Sequence, residues 1–481
     1  MKSLVIFAAL LLLESFVHGR NAWETLRSAD LTARELEEIR EEKLSKTSII
    51  VFDKFQMNDE ETDAEIARIV EKCDELGCPC EVIKLGKVGV LEVIWSCDSH
   101  PSVNELDLDS TKEAGAEDQF VELDDTPFPT DPRISEQWAF QDLDNNADIN
   151  IAEGWEEYLS DEQGGDPNGP SVVVAVIDTG VDYSHVDLKD AMWTNPGEIA
   201  GDGIDNDGNG IVDDVYGADF ALSTSGSGDP MDRRGHGTHC AGIIAATPNN
   251  EEGIAGVASF TQGKVKIMAL KAFPDTPGAM ASLSGLLACL NYALEKGAKI
   301  SSNSWSSGNV SNIWNSIATL WASVLRNNLD HLYIASSGND NRIINDDYKI
   351  VNCGLKEPNL LCVAASTIDD GNWNPISWMG SNFNPEYVHV FAPGAGILST
   401  YVNNEYRKMS GTSMACPMVS GLAALIMTMR DELSAEEVRQ VIEANVRVKA
   451  EYSGYVSTSG LIDVGATIKA LKGTDGNEAS K

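Results

Sequence analysis

The chain has 481 residues, with 35 lysines and arginines against 75 aspartates and glutamates, giving a formal net charge of −40 at pH 7. This length predicts two or three domains, and a hydrophobic fraction of 42% with 41 glycines and 17 prolines excludes collagen, coiled coil and overall disorder. The acidic surface argues against nucleic acid and anionic membranes as partners, and solubility explains it most simply.

The N-terminus has the features of a secretory signal peptide at residues 1–19. Lys2 supplies the positive charge, residues 4–13 form a short apolar run, and Gly19 offers a small residue for cleavage. The run is too short to span a bilayer, and no later stretch is an uninterrupted apolar span. We therefore expect a secreted protein without a membrane anchor.

A solvated amphipathic helix is predicted at 21–46. A small α+β domain with the element order β-α-β-β-(α)-β follows. Its elements are a strand at 47–52, a helix that ends at Gly77, two strands at 82–85 and 90–95, and a last strand at 120–123. An acidic, proline-rich stretch at 124–132 predicts the domain boundary.

From about residue 133, continuous apolar runs alternate with helical segments. The predicted strands are 172–177, 265–270, 332–335, 361–365 and 388–391, and the predicted helices are 240–246, 282–295, 313–326 and 414–429. This alternation is typical of a mainly parallel sheet with helices on both faces. The polar tail at 473–481 is predicted to be disordered.

The nine cysteines favour disulfide formation in an exported protein. Cys353 and Cys362 bracket a short loop and are the best candidates for one bond, and an odd number leaves at least one thiol without an intramolecular partner. Cys240 and Cys416 lie beside the candidate catalytic residues described next, but buried cysteines are mostly small hydrophobic residues. A regulatory thiol is the lesser alternative.

Three glycine-rich segments carry candidate catalytic residues. Asp178 follows a buried strand, where open parallel sheets place their active sites. His236 begins a helical segment, and Ser413 lies at a loop-to-helix junction, where N–H groups and the helix dipole favour negative charge. Each residue alone is more simply a turn or cap residue. Together, in the order Asp, His, Ser, they predict acyl transfer, in which the base removes the serine proton and the acid orients the base.

These segments, at 176–182, 235–242 and 411–417, resemble the three signature blocks of the subtilisin-like serine proteases, the subtilases. The resemblance covers about residues 130–470. It implies a subtilisin-like serine endopeptidase that hydrolyses peptide bonds through an acyl-enzyme. The implied roles are orienting acid for Asp178, general base for His236, nucleophile for Ser413 and oxyanion donor for Asn339, with His239 structural.

The resemblance also implies a zymogen. The small α+β domain, ferredoxin-like in its element order, is similar to the family's propeptide, an intramolecular inhibitor removed by self-cleavage between Leu123 and Arg133. The implied organisation is a signal peptide at 1–19, a propeptide at 20–125 with its inhibitor-like domain at 47–125, a peptidase domain at 126–472 and the tail at 473–481. An unrelated N-terminal binding domain remains the alternative.

By family position, a peptide substrate is expected to pair as a strand between two edges of the peptidase domain. The residues concerned are Ser304, Trp305, Ser306 and Gly338 on one side, and Gly278 and Ala279 on the other. Two points stay open: Ser306 stands where the family usually has glycine, and Trp305 is equally well explained as a core aromatic.

Calcium is the predicted cofactor, with a structural role. Residues 205–213 place oxygen donors at alternate positions and a glycine at the sixth, like the first half of an EF-hand loop, although Tyr216 replaces the expected glutamate. The candidate ligands of this loop are Asp205, Asp207, Asn209, Ile211 and Asp213. Family position implies a second site formed by Asp187, Asn250 and Asp131.

Other protein classes are less well supported. A catalytically silent peptide-binding relative usually lacks one of the four catalytic residues, all of which are present here. A lipase-type hydrolase is disfavoured because residues 411–415 do not form Gly-x-Ser-x-Gly. Asp346 and Asp347 are candidates for a specificity pocket that accepts basic residues, and Asn309 begins an N-glycosylation sequon. We expect a monomer acting on polypeptides.

Overall fold

The structure is a computed structural model. It describes four strands of the N-terminal unit and residues 128–472, except 142–144, 162–163, 165, 167, 277, 311–313 and 373–378. The chain divides into two compact units, Met1–Asp124 and Asp125–Lys481. The predicted signal peptide, the helices at 21–46 and before Gly77, the strand at 120–123 and the tail at 473–481 lie outside the described residues.

The described strands of the N-terminal unit form one antiparallel sheet. They are β1 (Thr47–Val51), β2 (Cys80–Leu85), β3 (Val90–Trp95) and β4 (Ala114–Glu117), in the order β2-β3-β1-β4. This order is that of a ferredoxin-like sheet. The strand that pairs with β1 at this edge is Ala114–Glu117, upstream of the predicted strand at 120–123. Its small residues and acidic surroundings give no alternating apolar pattern, which is why the sequence did not indicate it.

The second unit contains a nine-stranded sheet in its described part, and only the edge pair of strands is antiparallel. Its order is β14-β15-β11-β10-β9-β8-β5-β7-β6. The strands are β5 (Val172–Asp178), β6 (Gly217–Asp219), β7 (Val265–Lys271), β8 (Ile300–Asn303), β9 (Leu332–Ser336), β10 (Leu360–Ser366), β11 (Val390–Pro393), β14 (Arg447–Val448) and β15 (Gly460–Leu461). A separate antiparallel hairpin joins β12 (Ile397–Tyr401) to β13 (Glu405–Met409).

Helices cover both faces of this sheet. They are α1 (Ile151–Leu159), α2 (His236–Ala245), α3 (Leu283–Glu295), α4 (Trp314–Arg326), α5 (Thr412–Met429), α6 (Ala435–Ala444) and α7 (Val464–Lys472). Alternate residues of β5 enter opposite cores: Val174 and Val176 pack with α2 and α5, whereas Ala175 and Ile177 pack with α3 and α4. The predicted mainly parallel, doubly covered subtilisin-like sheet is confirmed.

Helix α5 lies at the centre of the fold. It is long and apolar enough to span a membrane by length and composition, but all of it is buried within the structure, as in the core helix of a globular protein. A helix at 414–429 would have Pro417 in its first turn, where proline is tolerated. The helix begins instead at Thr412, so Pro417 falls in its second turn.

Candidate active site

The three candidate catalytic residues lie at the ends of secondary-structure elements. Asp178 is the last residue of β5, His236 is the first residue of α2, and Ser413 is the second residue of α5. A close approach between α2 and the segment after β5 brings the first two together. A Cβ added to Gly237 would lie 2.1 Å from the carbonyl oxygen of Gly180, so only glycine permits this approach.

Asp178 and His236 form a direct pair. The imidazole Nδ1 lies 2.8 Å from Oδ1 and 2.9 Å from Oδ2 of the carboxylate. Asp178 is 2% exposed, and the backbone N–H of Thr179 donates to its Oδ1 at 2.7 Å. Burial opposes the protonated imidazole, but the charge and hydrogen bond of Asp178 outweigh it and raise the pKa of His236. The carboxylate therefore orients the ring and stabilises its protonated form.

The loop before α2 is fixed by a buried carboxylate. Asp232 accepts hydrogen bonds from the backbone of Arg234 (2.8 Å), from that of Gly235 (2.9 Å) and from the hydroxyl of Thr238 (2.7 Å). The backbone N–H of Thr238, in the first turn of α2, also donates to Asp232, at 3.1 Å. The bonds from Gly235 and Thr238 satisfy N–H groups at the start of the helix that have no partner within it. Asp232 thereby determines where His236 enters the site.

His239 has a different environment from His236. Its Nε2 lies 3.1 Å from the carbonyl oxygen of Ile397 and 2.9 Å from that of Arg407, on the two strands of the β12–β13 hairpin. Burial lowers the pKa of His239 to about 4, so the ring is neutral at pH 7. This geometry fits a residue that connects α2 to the hairpin.

Ser413 exchanges hydrogen bonds with Ser304. The Ser413 hydroxyl donates to the carbonyl oxygen of Ser304 at 3.1 Å, and the Ser304 hydroxyl donates to the carbonyl oxygen of Ser413 at 2.9 Å. That second acceptor is available because Pro417, four residues later, has no N–H to donate to it. The Sγ of Cys240, one turn after His236, lies 3.5 Å from the same carbonyl oxygen, which brings Ser413 beside α2.

Asn339 lies directly after the loop that follows β9 and contacts the nucleophile segment. Its Oδ1 accepts hydrogen bonds from the backbone N–H and the hydroxyl of Thr412, both at 2.9 Å. With the oxygen held in this way, the amide Nδ2 is directed away from Thr412 and retains its donors. A neutral amide donor beside the nucleophile is the arrangement that stabilises an oxyanion.

The predicted substrate-binding residues have distinct surroundings. The ring of Trp305 is buried, with its centre 6.0 Å from that of Trp321, so its side chain belongs to the core. Its carbonyl oxygen accepts hydrogen bonds from the side chains of Ser336 and Asn352. Ser306 accepts a hydrogen bond from Gly308 at 3.3 Å. Gly338, at φ +92°, has no room for a Cβ, which would lie 2.5 Å from Asn382.

Gly278 and Ala279 belong to a segment with exposed and half-buried residues, defined here as residues 274–276 and 278–279, which we call the edge segment. It follows β7 directly, and the backbone N–H groups of Ala272 and Phe273 donate to the carbonyl oxygen of Asp178 at 2.8 and 3.2 Å. The segment therefore begins beside the acid of the acid–base pair. At Gly278 a Cβ would meet nothing within 4 Å, so the backbone there is open to solvent.

The loop at 205–213 forms an acidic cluster together with a residue that the sequence did not indicate. Glu198, Asp205 and Asp207 place carboxylate oxygens within 4.8 Å of one another. Asp213 instead accepts hydrogen bonds from the backbone of Gly201 and Gly203. Three converging carboxylates form a donor set that suits Ca²⁺.

Further contacts shape this loop. Asn209 Oδ1 accepts from the backbone of Ile211 at 2.7 Å, and its Nδ2 donates to Asp214 at 2.8 Å. Asp207 is also paired with Lys296. Buried Asp214 additionally accepts from the hydroxyl of Tyr292 at 2.6 Å, which ties the loop to α3.

The second predicted metal site brings two buried carboxylates together. Asp187 accepts hydrogen bonds from Asn250 Nδ2 at 2.8 Å and from the backbone of Ile254 at 3.0 Å. Asp131 accepts from the backbone of Asn249 at 2.9 Å, while its Oδ1 is buried without a hydrogen-bond partner in the described part of the chain. Burial raises the pKa of Asp131 and raises that of Asp187 to about 7. An orphaned buried carboxylate oxygen beside a second carboxylate fits a cation.

The cysteines of this unit divide as follows. Cys353 and Cys362 form the predicted disulfide, which confirms that pairing. Cys240, Cys289 and Cys416 are buried thiols. Burial raises the pKa of each, to about 11 for Cys416, so they are poor thiolates at neutral pH.

Asp346 and Asp347 do not point into a closed pocket. Asp346 is 95% exposed and forms an ion pair with Lys349 at 2.8 Å. The backbone of Asp347 accepts a hydrogen bond from Asn309 at 3.2 Å. Neither position has the burial expected of a charge at the floor of a specificity pocket.

The second unit combines a mainly parallel sheet with a hydrogen-bonded acid–imidazole pair and a serine in the first turn of a helix. These are the features of a subtilisin-like α/β protein. A family model described as the subtilase family matches residues 169–466. The chain belongs to the subtilase family.

Known proteins similar to this chain include proteases. Subtilisin-like protease 1 of Plasmodium falciparum is 32% identical over 342 residues, which cover 68% of this chain and 47% of the relative. Thermitase of Thermoactinomyces vulgaris is 33% identical over 279 residues, which cover 57% of this chain and 81% of the relative. A solved structure of a protease from Pseudoalteromonas arctica is similar with a TM-score of 0.48 and 21% identity, over 71% of this chain and 99% of that one. The chain spans about half the length of the Plasmodium relatives.

Proposed function

We propose that the protein is a serine endopeptidase that hydrolyses peptide bonds through an acyl-enzyme on Ser413. The observation that carries the proposal is the pairing of His236 Nδ1 with Asp178 at 2.8 Å. It leaves Nε2 of the same ring for the nucleophile and raises the pKa of the base. An acid that fixes the ring in this way is the arrangement that serine nucleophiles require.

The reaction then follows from the positions of the groups. His236 accepts the proton of the Ser413 hydroxyl, which leaves its hydrogen bond to Ser304 as it attacks the substrate carbonyl carbon. The Nδ2 of Asn339 donates to the oxygen that becomes negative, and the positive end of α5 favours the same charge. Protonated His236 gives its proton to the leaving amine. Water then hydrolyses the acyl-enzyme with His236 again as base.

Polypeptides are the proposed substrates. Ser304, Trp305 and Ser306 offer backbone groups on one side of Ser413, and Gly278 offers an exposed backbone in the segment that begins beside Asp178. Ala279 supports that edge, because its N–H donates to Thr276 and its carbonyl oxygen accepts from Arg234. Main-chain pairing with both edges would hold an extended peptide whatever its side chains, which suits an endopeptidase. We assign Trp305 a role through its backbone only, since its ring is in the core.

Maturation and export are also proposed. Residues 1–19 would direct secretion, and residues 20–125 would act as an inhibitory propeptide of an autoprocessed zymogen. The four-stranded antiparallel sheet of the N-terminal unit supports this assignment. Exposed Asn309 is the proposed glycosylation acceptor.

Calcium is the proposed cofactor, with a structural role. Glu198, Asp205 and Asp207 would hold one ion, together with oxygen donors of the 209–213 stretch. Asp187, Asp131 and Asn250 would hold the other, where Asp131 Oδ1 has no partner among the described residues. A bound cation stabilises the folded state by mass action and neutralises carboxylates that the fold brings together.

The test compares the secreted wild type with Ser413→Ala. N-terminal sequencing should find the wild type trimmed between residues 123 and 133, and the alanine variant cut only at its signal peptide. Purified wild type should hydrolyse an internally quenched peptide, and Ser413→Ala should not. If the wild type lacks hydrolytic activity after its leader is removed in trans, the silent peptide-binding alternative replaces this proposal.

A further inference from the structure

Arg234, two residues before His236, has a side chain that the proposed mechanism does not use. Its backbone is held at both ends: the N–H donates to Asp232 at 2.8 Å, and the carbonyl oxygen accepts from the hydroxyl of Tyr401 at 2.6 Å. From this fixed point the half-buried guanidinium reaches the edge segment. Its Nη1 donates to the carbonyl oxygens of Pro274 at 3.3 Å and Ala279 at 3.2 Å.

The two halves of the edge segment are held differently. The first half is anchored by Lys271, whose buried ammonium donates to Asp275 at 2.6 Å and to the carbonyl oxygen of Thr179 at 2.7 Å. The second half is open: Gly278 has φ +78° with free space around it, and Met280, the residue after the segment, is 74% exposed. Among the described residues, Arg234 is the only side chain from outside the segment that hydrogen-bonds to Ala279.

We propose that Arg234 is a positioning residue for extended substrates, holding the edge segment at a fixed distance from His236. This rests on the proposed function, in which the edge at Gly278 pairs with the substrate main chain. A charged donor shared by two carbonyl oxygens holds Pro274 and Ala279, the two ends of the segment, near each other. The segment is then pre-organised, so a peptide does not have to order it on binding.

The proposal predicts a dependence on substrate length. A single acylated residue occupies the position next to Ser413 and does not reach the edge segment, whereas a tetrapeptide does. Interactions with remote parts of a substrate lower the barrier at the reacting centre, so a displaced edge reduces kcat/KM for the long substrate only. A residue needed merely for folding, or for the acid–base pair, would affect both substrates equally.

The experiment compares Arg234→Met and Arg234→Lys with Arg233→Met as the matched control. Arg233 is the exposed neighbour with the same charge, and its only ion pair in the described structure is to Asp275 at 3.7 Å. kcat/KM is measured for an acetylated tetrapeptide ester and for the acetylated single-residue ester with the same terminal residue. The pH is kept above the acid limb, because the charge of Arg234 also lowers the pKa of His236.

We expect Arg234→Met to lower kcat/KM for the tetrapeptide about tenfold, and that for the single-residue ester less than twofold. Arg234→Lys should recover most of the loss, and Arg233→Met should change neither substrate more than twofold. Equal losses on both substrates, or no loss on either, would overturn the proposal.

A second measurement separates this proposal from the proposed function. Amide hydrogen exchange of the peptide covering residues 272–282 should be faster in Arg234→Met than in the wild type and Arg233→Met. If the exchange rate is the same in Arg234→Met as in the wild type, Arg234 does not hold the edge segment, whatever the effect on activity. A wild type that hydrolyses neither ester contradicts the proposed function, while the exchange comparison still decides whether Arg234 holds the segment.

Discussion

Replacing Asn339 should lower turnover without weakening substrate binding. The two hydrogen bonds from Thr412 occupy Oδ1 and leave Nδ2 as the side chain's donor. That donor has a full partner only once the oxyanion forms, so its loss affects the transition state and not the bound substrate. Removing one such donor costs about 10²–10³ in kcat, or about 2.7–4 kcal/mol. We therefore expect Asn339→Leu to reduce kcat by this factor with KM changed less than threefold.

Two further variants separate the effect of the Nδ2 donor from that of the Thr412 hydrogen bonds that hold Asn339. Asn339→Asp keeps an acceptor for Thr412 but places a negative charge where the oxyanion forms, so its loss should equal or exceed that of the leucine variant. Thr412→Val removes the hydroxyl that donates to Asn339 Oδ1 and that accepts from the Gly338 N–H at 3.1 Å. It leaves the Nδ2 donor of Asn339 in place. We expect a loss of about tenfold or less, the value of one hydrogen bond.

The assay is steady-state hydrolysis of a tetrapeptide amide, with active-site titration to count folded enzyme. Thermal unfolding of each variant measures the accompanying change in stability, which we expect for Asn339→Leu because it leaves the N–H and hydroxyl of buried Thr412 without their acceptor. Asn339 is not the oxyanion donor if Asn339→Leu keeps more than a tenth of the wild-type kcat, or if KM rises while kcat is unchanged.

Three more predictions concern the acid, the metal and the disulfide. Asp178→Asn should lower kcat/KM about 10⁴-fold. It should also move the acid limb of the pH–rate profile to lower pH, because the carboxylate that raises the pKa of His236 is gone. An acid limb at the wild-type pH would contradict this role. Chelation of calcium should lower the melting temperature of the wild type by about 5 °C or more in a calorimetric scan. The decrease should be smaller in Asp187→Asn, which already lacks one ligand. Equal decreases in the two proteins would contradict a calcium site at Asp187. Replacing Cys353 and Cys362 together by alanine should cost about 2–3 kcal/mol in urea unfolding, because the bond closes a loop with a sequence separation of 9; wild-type stability would show that the loop is ordered without the bond.

Much of the candidate site was visible in the sequence because its residues lie in glycine-rich segments. Close approach of backbone to backbone requires glycine, as at Gly237, so a catalytic residue there carries a recognisable neighbourhood. The order of Asp178, His236 and Ser413 then gave the family resemblance. The parallel sheet was predictable for a related reason, since strands covered on both faces are continuous apolar runs.

The features that were missed lack such local signals. The central strand β8 (Ile300–Asn303) is buried although it carries polar side chains. Burial is tolerated because the Ser301 hydroxyl hydrogen-bonds to His331 and the Asn303 amide donates to the β9 backbone. No apolar run marks it. Glu198 joins the acidic cluster from outside the 205–213 loop, and tertiary contact alone brings it there. Trp305 could not be assigned between core and pocket until its ring was placed beside Trp321.

In the proposed mechanism, Ser413 is a nucleophile activated by His236. The most direct measurement is intact mass and peptide mapping after treatment of the mature protein with an alkyl fluorophosphonate, which reacts with activated serine hydroxyls. We expect one adduct per molecule, on the peptide containing Ser413, and none in Ser413→Ala or His236→Ala. No adduct on correctly matured wild type, or an adduct on another serine, would contradict it.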